Sequence, residues 1–150
     1  MATTVSKATL KVQIEESIEL NGTPRGSKIV HSFPNISQID ERVMTVPSYD
    51  VNVLLLSSSA GAGTYATTSF KYARLTNLDD TNFLTITMLS GSSGSKCVSK
   101  LLPKTSMLVT SVALSGSSAG VSFGAFNDFT AIQASASTGS VDMSMFVATT

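Results

Sequence analysis

The sequence predicts an all-β fold: a single-domain β-sandwich, jelly-roll-like, of about eight or nine short strands. Three observations carry this expectation. Apolar residues recur with a period of two, turn-forming residues break the chain at roughly 8–12-residue intervals, and no segment keeps a helical period over three turns. A chain of 150 residues matches one ordinary domain, here residues 1–150, and buries roughly two-thirds of its unfolded surface.

Leu10, Val12 and Ile14 alternate with Lys11, Gln13 and Glu15, and Ile18 and Leu20 continue one apolar face up to Asn21-Gly22. That dipeptide supplies the positive-φ residues of a tight turn, and Pro24 and Gly26 extend the break. Residues 28–33 (KIVHSF) read as a strand ended by Pro34-Asn35, and residues 41–46 (ERVMTV) as another stopped by Pro47. Residues 36–42 could hold one short helical turn. Residues 51–57 (VNVLLLS), the most apolar segment, read as a central strand buried on both faces. A small-residue loop, 58–63, follows.

Residues 70–76 (FKYARLT) alternate again and place Phe70, Tyr72 and Arg74 on one side. Asn77-Leu78-Asp79-Asp80 then turns the chain into residues 83–89 (FLTITML), as a hairpin or a tight strand connection. Residues 90–95 form a second loose loop before the strand 96–101 (KCVSKL). A turn at Leu102-Pro103-Lys104-Thr105 leads into residues 106–114, read as one strand. A third loose loop at 116–120 precedes a weak apolar segment, 121–126. Residues 129–135 lack clean alternation, whereas Val141, Met143, Met145 and Val147 fall on one face of the last strand.

Composition narrows the function. Charged residues make up 13% of the chain, against about 25% in a typical soluble domain, and ten basic side chains balance ten acidic ones. No basic stripe exists to neutralise phosphates, so no nucleic-acid partner is expected. A near-zero net charge favours association, and a surface of serine, threonine, alanine and glycine can lie against another protein without stranding charges. The amino terminus lacks the apolar block of a signal peptide, and no run approaches the ~20 residues that span a bilayer, so no membrane partner is expected either.

Chemistry-bearing residues are sparse. His31 is the sole histidine, sits in a predicted strand, and has no Gly-x-Ser-x-Gly elbow to serve. Cys97 is the sole cysteine, so no intramolecular disulfide can form, and a partly buried strand thiol is its ordinary state. Histidine and cysteine together are too few for a zinc site of those ligands. Asp79, Asp80, Asn77 and Asn82 lack calcium-loop spacing and favour a turn. Glu15, Glu16 and Glu19 form the densest acidic patch. The absence of tryptophan argues against a sugar-binding platform. No catalytic residue, metal or cofactor is expected from this pattern.

The segment FKYARLTNLDDTNFLTITM, residues 70–88, resembles a recurrent pattern in small β-rich virion proteins of tailed bacteriophages, marine-phage type. In that pattern a Lys-Tyr-x-Arg-hydrophobic-Thr-Asn strand enters an Asp/Ser-Thr-Asn turn. The motif residues here are Lys71, Tyr72, Arg74, Asn77, Asp79, Asp80 and Asn82. Residues 101–107 (LLPKTSM) resemble the family's proline turn, and the stretch from Ile132 through Val141-Asp142 to Ala148 resembles its closing hairpin. The resemblance implies a non-enzymatic virion structural protein, assembled in the host cytoplasm. Its expected role is a capsid decoration or cement protein, homo-oligomeric, bound to the major capsid protein or other virion proteins. The alternatives are a tail or head–tail connector component, or a host- or carbohydrate-binding module.

Overall fold

Period-two alternation organises the chain into twelve strands among the residues that the computed structural model describes, 5–90, 96–114 and 127–150. β1 (Ala8–Leu20) and β2 (Thr23–Ile36) pair only with each other, as an antiparallel ribbon. Asn21 and Gly22 close it with φ of +51° and +74°, the conformation that a two-residue hairpin turn demands and that this dipeptide tolerates. At 13 and 14 residues these strands are not short. Pro24 and Pro34 do not end β2, because a ribbon strand has one edge without a ladder, where a missing N–H costs no bond.

Four strands, β3 (Gln38–Val46), β12 (Val141–Thr149), β6 (Phe70–Asn77) and β9 (Ser106–Val109), form one sheet in the order β3-β12-β6-β9. The other has the order β5-β4-β11-β7-β8, from β5 (Thr64–Ala66), β4 (Val51–Ser57), β11 (Asn127–Ala136), β7 (Leu84–Ser90) and β8 (Lys96–Leu101). A short β10 (Ala113–Leu114) also joins β11. Setting aside the ribbon and the short β5 and β10, eight strands remain, and the chain crosses between β3-β12-β6-β9 and β4-β11-β7-β8 as a jelly roll does. The all-β sandwich expectation therefore holds.

The core lies between the two sheets. Val46, Leu75, Met143, Met145 and Val147 from one meet Val53, Leu54, Leu84, Ile86 and Ile132 from the other. The last strand packs as its alternation predicts, with Val141, Met143, Met145 and Val147 all inward. β4 is an interior strand as expected, between β5 and β11, but it is not buried on both faces, because Asn52 and Ser57 are exposed on its outer side. A register shift opposite Val53 turns the consecutive Val53 and Leu54 both into the core.

Several connections differ from expectation. β6 and β7 lie in opposite sheets, so the turn after Asn77 is a tight crossover and not a hairpin. β11 and β12 are likewise split, so no closing hairpin forms. Residues 106–114 break after Val109, and the chain changes sheets before β10. Residues 36–42 are extended, not helical. The loops 91–95 and 116–120 and the segment 121–126 lie outside the described residues.

Candidate functional site

The ribbon is built with two unlike faces. Its register sets Leu10 against Phe33, Val12 against His31, Ile14 against Ile29, Glu16 against Ser27, and Ile18 against Arg25. These residues share one face with Leu20, because side chains two apart along a strand point the same way. The opposite face carries Lys11, Gln13, Glu15, Ser17, Glu19 and Lys28, with Val30 as its exposed apolar member.

Only the base of the apolar face is covered. Leu10, Val12 and Phe33 pack on a small cluster of Ile36, Tyr72 and Ala148, with Phe146 at its margin. That cluster lies on the outer face of the β3-β12-β6-β9 sheet. Tyr72 is its centre: the Phe33 ring is 5.5 Å away and the Phe146 ring 6.1 Å, the latter edge-on. Burial pushes the Tyr72 phenol above its ordinary range. Further along, Ile29, Ile18 and Leu20 on the same face are 50%, 60% and 55% exposed.

A cleft of about 400 Å³ opens where the ribbon leaves the sheet, lined by Val12, Ile14, His31, Phe33, Tyr72, Leu108 and Thr110. His31 thus stands on an apolar wall, and among the described residues the lining holds no carboxylate to orient an imidazole for proton transfer. Cys97 is half-buried on β8 opposite Met88. Among the described residues, no group of three His, Cys, Asp or Glu side chains could hold a metal ion.

The motif residues divide between two places. Phe70 and Tyr72 do not share a face. Tyr72 pairs with Ala148 but Phe70 with Thr149, so Lys71 is an extra residue that turns the strand over. Phe70 then faces the core beside Phe129, with centroids 6.2 Å apart, and Tyr72 faces the ribbon. Arg74 shares the outer face with Tyr72. Its guanidinium lies 5.9 Å from the Phe146 ring and 3.9 Å from Glu41, not beside Asp79 or Asp80. Its Nε is buried and makes no hydrogen bond among the described residues.

Asn77 to Asn82 form the crossover. Asn77 is fully buried; its Oδ1 accepts the Asp79 N–H at 2.9 Å, and its Nδ2 donates to the Asn82 and Leu101 carbonyls at 2.9 and 3.3 Å. Asp79 accepts the N–H groups of Asn82 and Thr81 at 2.6 and 2.7 Å, and these bonds hold its carboxyl below the usual range. Asp80 pairs with Lys104 at 2.9 Å, and the same ammonium donates to the Leu78 carbonyl at 2.5 Å. The motif builds the crossover turn and part of the surface on which the ribbon packs.

The sequence reading missed one polar cluster. The Tyr65 hydroxyl donates to Asp40, Arg42 Nε lies 3.9 Å from the same carboxylate, and Arg42 donates to the Val53 carbonyl at 2.9 Å. Desolvation, reinforced by Asp40, pushes Tyr65 up to about 12. The cluster bridges β3 to β5 across the end of the sandwich. Its one sequence signal was the i, i+2 spacing of Asp40 and Arg42, which shares a strand face.

No protein-family model matches the chain, and no curated protein matches it. A solved structure described as Bacillus endospore appendages, a family of disulfide-linked pili, aligns over 100% of this chain and 96% of its own. The identity is 11% and the TM-score 0.38, so this likeness carries no argument about function.

Proposed function

We propose that this chain is a non-enzymatic structural protein of a virus particle, a capsid decoration or cement subunit that works by protein–protein contacts. The observation that carries the reading is the ribbon, whose apolar face runs beyond the domain that anchors it. An isolated two-stranded hairpin is marginal in water, and an exposed apolar face of this kind marks an interaction surface. The sandwich is the body and the ribbon the arm.

The outer face of the second sheet supports the same reading. Its middle carries Asn52, Thr85, Gln133 and Ser135, with Gln133 donating to Asn52 at 3.0 Å, amides and hydroxyls bordered on β8 by the exposed Val98 and Lys100. The β4-β11-β7 part of that face can be covered without stranding an ion, with the β8 lysines left at the rim. Jelly rolls serve viral capsids and lectins alike, so the topology does not choose between them. The sugar-binding alternative is disfavoured because Tyr49 is the one exposed aromatic among the described residues, and stacking platforms need several.

Cryo-electron microscopy of purified particles tests the proposal. Density for the sandwich on the shell, in multiple copies with the ribbon laid on a neighbouring chain, is the expected result. Density confined to the tail would move the assignment to a tail component, and absence of the chain from purified particles would overturn it.

A further inference from the structure

The two free edges of the ribbon are not equivalent. Leu20 pairs with Thr23 across the two-residue turn, and residues flanking such a turn bond each other. The even-numbered residues of β1 therefore aim their N–H and C=O groups at β2. The odd-numbered ones, from Thr9 to Glu19, aim theirs outward. By the same parity the ring nitrogen of Pro24 lies on the outer edge of β2, and Pro34 removes a second donor near the base. The β1 edge has no proline and no ladder partner among the described residues. It is an open template for another strand.

We propose that the β1 edge pairs antiparallel with β1 of a second copy of this chain, on a two-fold axis through Gln13. Charge selects that register. Of the registers that keep outward-bonding residues opposite one another, this one sets Lys11 against Glu15 and Lys7 against Glu19, each twice, with Thr9 against Ser17. Moving the axis to Val12 opposes Lys11 to Gln13, and moving it to Ile14 opposes Lys11 to Ser17. Moving it to Glu15 sets Lys11 against Glu19 but also places two glutamates face to face and leaves Lys7 without a carboxylate opposite it. A self-complementary contact of this kind closes as a dimer.

The same axis settles the apolar face. A two-fold perpendicular to the sheet keeps both apolar faces on one side. Val12, Ile14, Ile18, Leu20 and Ile29 of both copies then line one four-stranded surface. The antiparallel run lays the tip of each ribbon beside the base of the other, on the side where the sandwich sits. Ile18 and Leu20, exposed in a single copy, thereby face the partner's domain.

The inference rests on the reading of the ribbon as the contact element. It is tested on the purified full-length chain without particles, so its failure is distinct from absence of the chain on a particle. Sedimentation equilibrium at low salt is expected to show a reversible dimer. Lys11→Glu and Glu15→Lys each replace two attractive pairs by two repulsive ones and should weaken it by about tenfold or more. The swap Lys11→Glu with Glu15→Lys should restore it, and a mixture of the two single variants should form a heterodimer tighter than either homodimer. Both positions are exposed, and the swapped chain controls for folding. A chain that stays monomeric, or a dimer indifferent to these reversals, overturns the proposal.

Discussion

Replacing Asn77 by alanine removes three hydrogen bonds from a site with no solvent access. The amide holds the Asp79 N–H and the Asn82 and Leu101 carbonyls, so it fastens the crossover to β6 and to the end of β8. A side-chain hydrogen bond contributes about 1 kcal/mol net, and the 3.3 Å bond to Leu101 sits at the weak end of that range. Alanine also leaves those three backbone groups one bond short, the Leu101 carbonyl buried and the other two partly buried. The expected loss is about 3 kcal/mol, out of the roughly 5–15 kcal/mol that a domain possesses. Urea unfolding followed by far-ultraviolet circular dichroism measures it, since the chain has no tryptophan. Asn77→Asp sharpens the test. The carboxylate keeps the acceptor for Asp79 but turns charge on two carbonyls that formerly received N–H groups. Its folded pKa is raised, so the variant should lose stability as pH rises from acid to neutral and be worse than alanine at pH 7. A cost below about 1 kcal/mol for alanine, or an aspartate milder than alanine at neutral pH, would refute the argument.

Tyr72→Ala should cost about 3–5 kcal/mol and free the ribbon, seen as proteolytic cleavage within residues 8–36, whereas Tyr72→Phe should keep the ribbon seated. Gly26→Ala places a Cβ 2.0 Å from the Glu16 carbonyl oxygen, so the ribbon should fray from that point while the sandwich unfolds at an unchanged urea midpoint. Wild-type stability should fall between pH 10 and 12, because Tyr65 ionises near 10 when unfolded but near 12 when folded, and the folded state holds the proton longer. Tyr65→Phe should lessen that fall, as measured by urea midpoints on either side of the window.

Local patterns in the sequence were legible where one contact decides the structure. Asn21-Gly22 announced its turn because few other dipeptides tolerate two positive φ angles, and the alternation of Val141 to Val147 announced an inward face. Asn77, Asp79 and Asn82 were readable as turn residues because short polar side chains bond their own backbone. Bulges were not readable: nothing in Phe70-Lys71-Tyr72 says that Lys71 is unpaired, yet that one residue sends Phe70 into the core and Tyr72 under the ribbon. Which strands pair was equally hidden. Hairpin and crossover connections use the same turn residues, so Asn77 to Asn82 could not reveal that β7 lies in the opposite sheet. The Arg74–Glu41 contact depended on that pairing, since β12 is the strand between them.

Alternation also misled in an informative way. Leu10 to Leu20 alternates with one break, at Glu16, a pattern that ordinarily means one face packed on the domain's own core. Thirteen extended residues reach about 44 Å, and the small cluster around Tyr72 covers only the base of that length. The half-buried Leu10, Val12, Ile14 and Phe33 and the exposed Ile29, Ile18 and Leu20 lie on one face, which Glu16 and Arg25 interrupt toward the tip. A strand that served only its own domain would have no use for apolar residues at Ile18 and Leu20, where each exposes more than half of itself. On the proposed dimer the periodicity records burial supplied by a neighbour, and Lys11 and Glu15 set the register in which that neighbour's β1 lies along the edge. Hydrogen exchange of the β1 amides separates the two contributions. In the free monomer the odd-numbered amides have no ladder partner among the described residues and should exchange fast along the whole strand. In the assembled state they should slow together with Ile18 and Leu20, because the same contact closes the edge and covers the face.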